Sequence, residues 1–82
     1  MLKVSVYSPV SQLYEGSAVS VELPSEKGRF MVLDSHAPVM ALLESGTVNI
    51  RTDNDTSVEI AISGGFAKVF NDIIDVCVET VQ

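Results

Sequence analysis

Apolar and polar side chains alternate residue by residue in several short runs of this 82-residue chain, and this pattern constrains the fold more than any other feature. In the first run, Leu2, Val4 and Val6 are separated by polar residues. Because successive side chains of a β-strand point to opposite faces, a period of two residues indicates a strand with one buried face. No segment sustains the period of 3.6 residues that is typical of an amphipathic helix. The sequence therefore predicts an all-β fold.

Residues that favour turns separate these runs at the spacing of about 8–12 residues that is typical of β-sandwiches. The fold predicted is a flattened antiparallel β-sandwich of roughly eight to ten short strands. The segment 37–44 is the best helical candidate, and we expect it to be extended instead. Two adjacent glycines, Gly64 and Gly65, predict a bulge or a positive φ between two strands. The predicted strands cover residues 2–7, 12–15, 19–23, 29–33, 39–43, 47–50, 58–62, 66–70 and 73–81.

The length of the chain predicts a single domain, residues 1–82, with a small core. A domain of this size buries only about 60–65% of the surface that its unfolded chain exposes. Hydrophobic residues nevertheless make up 46% of the sequence. We therefore expect part of this apolar surface to lie outside as a patch, and such patches usually bind a partner.

The charge of the chain argues against several classes of ligand. The net charge is −6, and there are only five lysines and arginines. So few cations do not neutralise a row of phosphates, and we expect neither nucleic-acid binding nor adhesion to anionic lipid. No apolar run approaches the roughly 20 residues needed to span a bilayer, and the amino terminus shows no leader. We expect a cytosolic chain that does not insert into the membrane.

The residues that carry chemistry are too few to predict catalysis. His36 is the single histidine, and its neighbours Ser35 and Asp34 point in different directions if the chain is extended there. Cys77 is the single cysteine, which excludes an internal disulfide, and it is expected to be a small buried hydrophobic residue. One cysteine and one histidine do not make a zinc site. We expect no enzyme activity, no metal and no cofactor.

Several motifs recur in one order along the chain, and together they identify a family. They are Pro9, Tyr14-Glu15-Gly16, Leu23-Pro24, Gly28, Phe30, Leu33, His36-Ala37-Pro38, Gly46 and Ser63-Gly64-Gly65-Phe66, followed by a closing strand rich in Ile and Val. This series resembles the amino-terminal β-sandwich domain of the epsilon subunit of bacterial F-type ATP synthase. The resemblance covers essentially the whole chain.

The resemblance implies a non-catalytic rotor part of the central stalk. Members of this family pack against the gamma subunit, rest on the polar loops of the c-ring and rotate with both. In this way they help to couple ion translocation to ATP synthesis. The location implied is peripheral, at the cytoplasmic face of the bacterial plasma membrane.

The resemblance also implies two sets of contact residues. Ser8, His36 and Ala41 match positions that face the gamma subunit, and the segment Glu26, Lys27, Gly28 and Arg29 matches the loop nearest the c-ring. This chain departs from the family at both places. Ser35 stands where similar subunits often carry glycine, which puts the backbone path near His36 in question. Lys27 and Arg29 make the other loop more basic, so we expect an acidic or polar complement on the ring.

Many relatives continue into a carboxy-terminal pair of helices that can inhibit ATP hydrolysis and in some cases bind ATP. This chain ends at Gln82, just after the last predicted strand. If that is its natural length, we expect neither inhibition by an extended arm nor nucleotide binding.

Two other classes of small sandwich remain open at this point. A lipoyl- or biotinyl-type carrier presents a modifiable lysine at a hairpin tip, and Lys27 is the candidate here. The residues around Lys27 do not match either carrier motif, however. An independent protein-binding sandwich would need no gamma partner and would be monodisperse alone.

Overall fold

The computed structural model describes residues 1–80, which contain eight strands and no helix. The all-β prediction is confirmed, and the segment 37–44 is extended as expected. The last predicted strand reached Val81, which lies outside the described residues. The strands are β1 (Leu2–Tyr7), β2 (Gln12–Ala18), β3 (Ser20–Ser25), β4 (Gly28–Val32), β5 (Val39–Leu43), β6 (Gly46–Arg51), β7 (Ser57–Phe70) and β8 (Ile73–Thr80).

These strands form one hydrogen-bonded sheet that folds over itself into two layers. The first layer has the order β2-β1-β8-β7-β5, and the second has the order β4-β3-β6-β7. Strand β7 belongs to both layers, because its first half pairs with β6 and its second half with β5. The layers also meet at one residue pair, Ser25 of β3 and Leu43 of β5. All neighbouring strands are antiparallel except β1 and β8, which are parallel.

The two glycines lie inside β7, where the strand passes from one layer to the other. The sequence predicted a break there, but β7 continues through it for 14 residues. The register with β8 shifts between Ile62 and Gly64, as in a β-bulge, and Gly65 has a φ of 157°. A bulge increases the local twist and bends the strand. The bend lets a single strand serve both layers.

The core lies between the layers and consists of aliphatic side chains. The molecule measures 30 × 25 × 19 Å, which agrees with two sheets packed about 10 Å apart plus their outer side chains. Each strand contributes alternate residues, as the period of two predicted. The largest side chains with less than 2% exposure are Leu2, Leu23, Ile50, Ile62 and Ile74.

The prediction for Cys77 is wrong. Val76 and Val78 point into the core, so Cys77 points to the outer side of the first layer and is half-buried. The run from Ile73 to Val78 is apolar apart from Asp75, and a nearly continuous apolar run does not reveal which residues face inward.

Two tight turns each join the strands of an antiparallel hairpin near the surface described below. At Asn71 and Asp72, φ is 51° and 62°, as a two-residue turn between twisted strands requires. Strands β7 and β8 therefore form a β-hairpin around these two residues. Glu26 and Lys27 form the tip of the hairpin between β3 and β4, and Gly28 closes it with a φ of 116°.

Candidate interaction surface

The residues predicted to face the c-ring lie together at the tip and base of the β3–β4 hairpin. Glu26 and Lys27 are exposed, and Lys27 forms no ion pair with any residue in the range 1–80. Arg29 lies back along the sheet: its Nη2 is 3.0 Å from Glu22 Oε1 and also donates to Thr47 O at 3.1 Å. The charge of Arg29 is thus partly compensated within the chain, and Lys27 is the cation that the tip presents.

His36 lies in the loop between β4 and β5, and two hydrogen bonds hold this loop in place. The His36 N–H donates to Leu33 O at 3.2 Å, which closes a tight turn. The Ser35 N–H donates to Asp72 Oδ1 at 2.7 Å, which ties the loop to the β7–β8 turn. The imidazole is half-buried, with its ring centroid 6.4 Å from that of Phe30. The position of His36 is therefore set by residues distant in sequence.

Ser35 adopts a φ of 64°, a conformation in which glycine carries no penalty. Glycine would take the same backbone path here without that penalty. Replacing Ser35 with glycine is expected to raise the free energy of unfolding by about 0.5–1 kcal/mol. Glycine relieves the strain of the positive φ, and it also raises the entropy of the unfolded chain, which lowers stability. The first contribution to the free energy of unfolding is the larger one. Urea denaturation followed by circular dichroism measures the change.

Ser35→Ala is the matched control, because it removes the hydroxyl and keeps the Cβ atom that causes the strain. We expect it to change the free energy of unfolding by less than about 0.5 kcal/mol. A destabilised glycine variant would show that the turn is not strained.

Ala41 and His36 line one groove together with the hairpin that carries Lys27. This groove, called the β5 groove below, has a volume of about 540 Å³. One wall is strand β5, and the other is the hairpin with Phe30 and His36. Ala41 is half-buried and packs against the core, so it offers a small part of its surface. The structure thus brings the two predicted contact sets side by side, except for Ser8.

Ser8 lies apart from this groove. It follows β1, which is separated from β5 by β8 and β7. Its Oγ accepts from the Ser11 N–H at 3.2 Å and from the Val10 N–H at 3.3 Å, so it holds a local turn. Three strand spacings amount to roughly 14 Å, so one partner that contacts both Ser8 and the groove has to cover the outer side of the first layer.

That outer side carries a continuous apolar row, and the row beside it holds the charged residues Asp75 and Lys68. Tyr7, Cys77, Phe66 and Leu42 are cross-strand neighbours in a row from β1 to β5. The row runs from the strand that precedes Ser8 to the wall of the β5 groove. The sequence motifs did not predict which residues form this surface. The surplus of hydrophobic residues predicted only that an exposed apolar patch exists. The large apolar side chains of this outer apolar face, with their exposed fractions, are Tyr7 38%, Met40 64%, Leu42 59%, Phe66 38%, Phe70 52% and Ile73 47%.

The outer side of the second layer is mostly polar, although Met31 of β4 is exposed there beside Glu22. Glu22 of β3, Asn49 of β6 and Glu59 of β7 are cross-strand neighbours there. Arg51 lies at the end of β6 and pairs with Asp55, with 3.1 Å between Nη2 and Oδ1. The two outer sides of the sandwich therefore differ in character, and the apolar one is suited to a protein partner.

Other kinds of site have little support within residues 1–80. No group of three or more His, Cys, Asp or Glu side chains is placed to hold a metal ion in that range. The same range has no helix that is long and apolar enough to cross a membrane.

Chains in solved structures of other proteins have the same fold. The chain superimposes with a TM-score of 0.87 on a chain of the Euglena gracilis mitochondrial ATP synthase, in a structure of OSCP, F1 and the c-ring. The two are 20% identical, and the match covers 99% of this chain and 51% of that one. A chain from the central stalk and c-ring of the Tetrahymena thermophila mitochondrial ATP synthase gives a TM-score of 0.80 at 13% identity, covering 95% and 63%.

Sequence comparisons give the family. The ATP synthase epsilon chain of Helicobacter pylori (strain P12) is 41% identical over 76 residues, which is 93% of this chain and 61% of that relative. The epsilon chain of Thermosynechococcus vestitus is 36% identical over 78 residues, or 95% and 56%. The chain thus spans about three fifths of these relatives. The family model for the β-sandwich domain of the ATP synthase delta/epsilon chain matches residues 1–82. This chain therefore belongs to the ATP synthase delta/epsilon-chain β-sandwich family.

Proposed function

We propose that this chain is the β-sandwich of a central-stalk subunit of an F-type ATP synthase, and that it rotates with the gamma subunit and the c-ring. The observation that carries the proposal is the outer apolar face of this chain, whose row from Tyr7 to Leu42 crosses four neighbouring strands. Burying apolar area of this kind is the main favourable term in most protein–protein association. The role is mechanical: a rigid two-layer body transmits torque, and ATP synthesis takes place elsewhere in the complex.

The gamma subunit is the partner proposed for the outer apolar face. His36 and Ala41 lie beside this face at the β5 groove, and Ser8 follows the strand at its other side. A partner seated across the row from Tyr7 to Leu42 would reach all three positions. The apolar row would supply most of the affinity, and the three predicted residues would lie around it.

The loops of the c-ring are the partner proposed for the hairpin tip. Lys27 is exposed and unpaired within residues 1–80, and Gly28 and Glu26 flank it at the tip. An acidic or polar group on the ring would complement Lys27. Arg29 contributes less, because Glu22 already pairs with it. In this arrangement the chain is peripheral, at the cytoplasmic face of the plasma membrane, and it carries neither nucleotide nor cofactor.

The two other classes of sandwich gain no support from the comparisons. Lys27 does lie at a hairpin tip, as a carrier lysine would. The family model and the relatives, however, are those of ATP synthase subunits.

Co-expression with the gamma subunit and the c-ring of the same genome tests the proposal. We expect the chain to co-purify with both. Lys27→Glu is expected to weaken binding of the chain–gamma complex to the ring by roughly three- to tenfold, since an exposed charge contact contributes up to about 1 kcal/mol and reversal replaces attraction by repulsion. Binding to gamma is expected to stay unchanged.

Arg51→Glu is the matched control, because it changes the net charge equally at the other end of the second layer. In the sheet, Arg51 lies opposite Ser20 at the start of β3. The hairpin tip follows Ser25 at the other end of β3. Ring affinity that falls equally in both variants would indicate a general charge effect. A chain that binds no gamma subunit at all would contradict the proposed function.

A further inference from the structure

The free edge of β5 is the feature of the β5 groove that points to a mode of binding. Along its whole length β5 pairs with β7 on one side. On the other side it meets β3 only at its last residue, Leu43. From Val39 to Leu42 this second side faces the groove. A strand edge of this kind offers unpaired N–H and C=O groups to another chain.

The hydrogen bonds show which groups are free. The Leu42 carbonyl accepts from the Glu26 N–H at 3.1 Å, so the main chain of Leu42 points away from β7. Main-chain groups of alternate residues point to the same side of a strand, so those of Met40 do the same. Within residues 1–80, no hydrogen bond occupies the Met40 N–H, the Met40 carbonyl or the Leu42 N–H. Three main-chain groups are thus available in the groove.

The opposite wall favours an extended peptide. Phe30 and His36 form this wall, with their ring centroids 6.4 Å apart. A strand laid along β5 would bond to Met40 and Leu42 on one side and contact these rings on the other. The groove also continues into the outer apolar face, since Met40 and Leu42 belong to both.

We propose that the gamma subunit adds a short strand to the free edge of β5, with apolar residues toward Phe30. This inference rests on the proposed function, because it takes gamma as the partner. Main-chain pairing of this type gives affinity, and the pockets for alternate side chains give specificity. Strand β2 also has a free edge, and that strand carries the exposed Glu15.

Met40→Pro tests the main-chain contact in the complex with gamma. Proline removes the Met40 N–H, and it is tolerated on an edge strand where that N–H faces outward. Met40→Ala is the matched control, because it shortens the side chain and keeps the N–H. We expect the affinity for gamma to fall at least about tenfold in the proline variant and less than about threefold in the alanine variant. Equal affinities in the two variants would overturn the added strand.

Amide hydrogen exchange gives a second readout on the unmodified chain, which decides the question even if the proline variant fails to fold. The amides of Met40 and Leu42 are expected to exchange fast in the free chain and slowly with gamma bound. The Ala41 amide, which points toward β7, serves as the protected reference in both states. If gamma binds and the Met40 and Leu42 amides still exchange fast, the strand addition is wrong and the proposed function stands. If gamma does not bind, both fail.

Discussion

Replacing Gly65 with alanine is expected to lower the free energy of unfolding by about 3 kcal/mol, from overpacking together with backbone strain. A Cβ atom at this position would lie 2.4 Å from Cys77 O and 3.0 Å from Val78 Cα. Both are main-chain atoms of β8, which pairs with β7 along this stretch and with β1 as far as Cys77, so these atoms shift only by disturbing the ladder. Urea denaturation followed by circular dichroism measures the loss.

Gly64→Ala is the control beside it in the sequence. A Cβ atom on Gly64 would have its nearest neighbour, Leu43 O, at 3.7 Å, which is an ordinary contact. We expect a loss of less than about 1 kcal/mol there, from the change of backbone entropy and local packing alone. Equal losses in the two variants would show that the bulge as a whole, and not the close approach of β8 to Gly65, requires glycine.

Replacing Ile74 with alanine is expected to lower the free energy of unfolding by about 3–4 kcal/mol. Its side chain is fully buried at the centre of the first layer, between Val4 of β1 and Val69 of β7. Truncation would remove apolar contacts and leave a cavity that the two sheets fill only partly. Because a domain of this size has little stability to lose, the thermal midpoint should fall by more than 10 °C, at about 4–8 °C per kcal/mol.

Ile73→Ala is the matched control on the other side of the same strand. The Ile73 side chain is 47% exposed and belongs to the outer apolar face. Its truncation is expected to cost less than about 1 kcal/mol of stability and to weaken binding to gamma. If the two isoleucine variants lose equal stability, the assignment of the faces of β8 is wrong.

Only part of the candidate site could be predicted from the sequence. The family resemblance predicts contacts at the hairpin 26–29 and at His36, which stay predictions, and the excess of apolar residues indicated an exposed patch. The sequence did not show which residues form that patch, because Tyr7, Leu42 and Phe66 lie in three different strands. Their closeness depends on the pairing of β1 with β8 and of β7 with β5. The free edge of β5 could not be predicted either, because it too depends on which strands pair with β5.

The fold shows the same division between local and long-range information. Alternating runs and turn residues determined the class of the fold and most strand positions, because side-chain period and turn geometry are properties of a few neighbouring residues. Tertiary structure alone decided that β1 and β8 lie parallel, that β7 continues through its glycines, that Cys77 faces outward, and that Asp72 holds the loop of His36. Each of these depends on which strands become neighbours, and that choice is made by burying both sheets against one shared core.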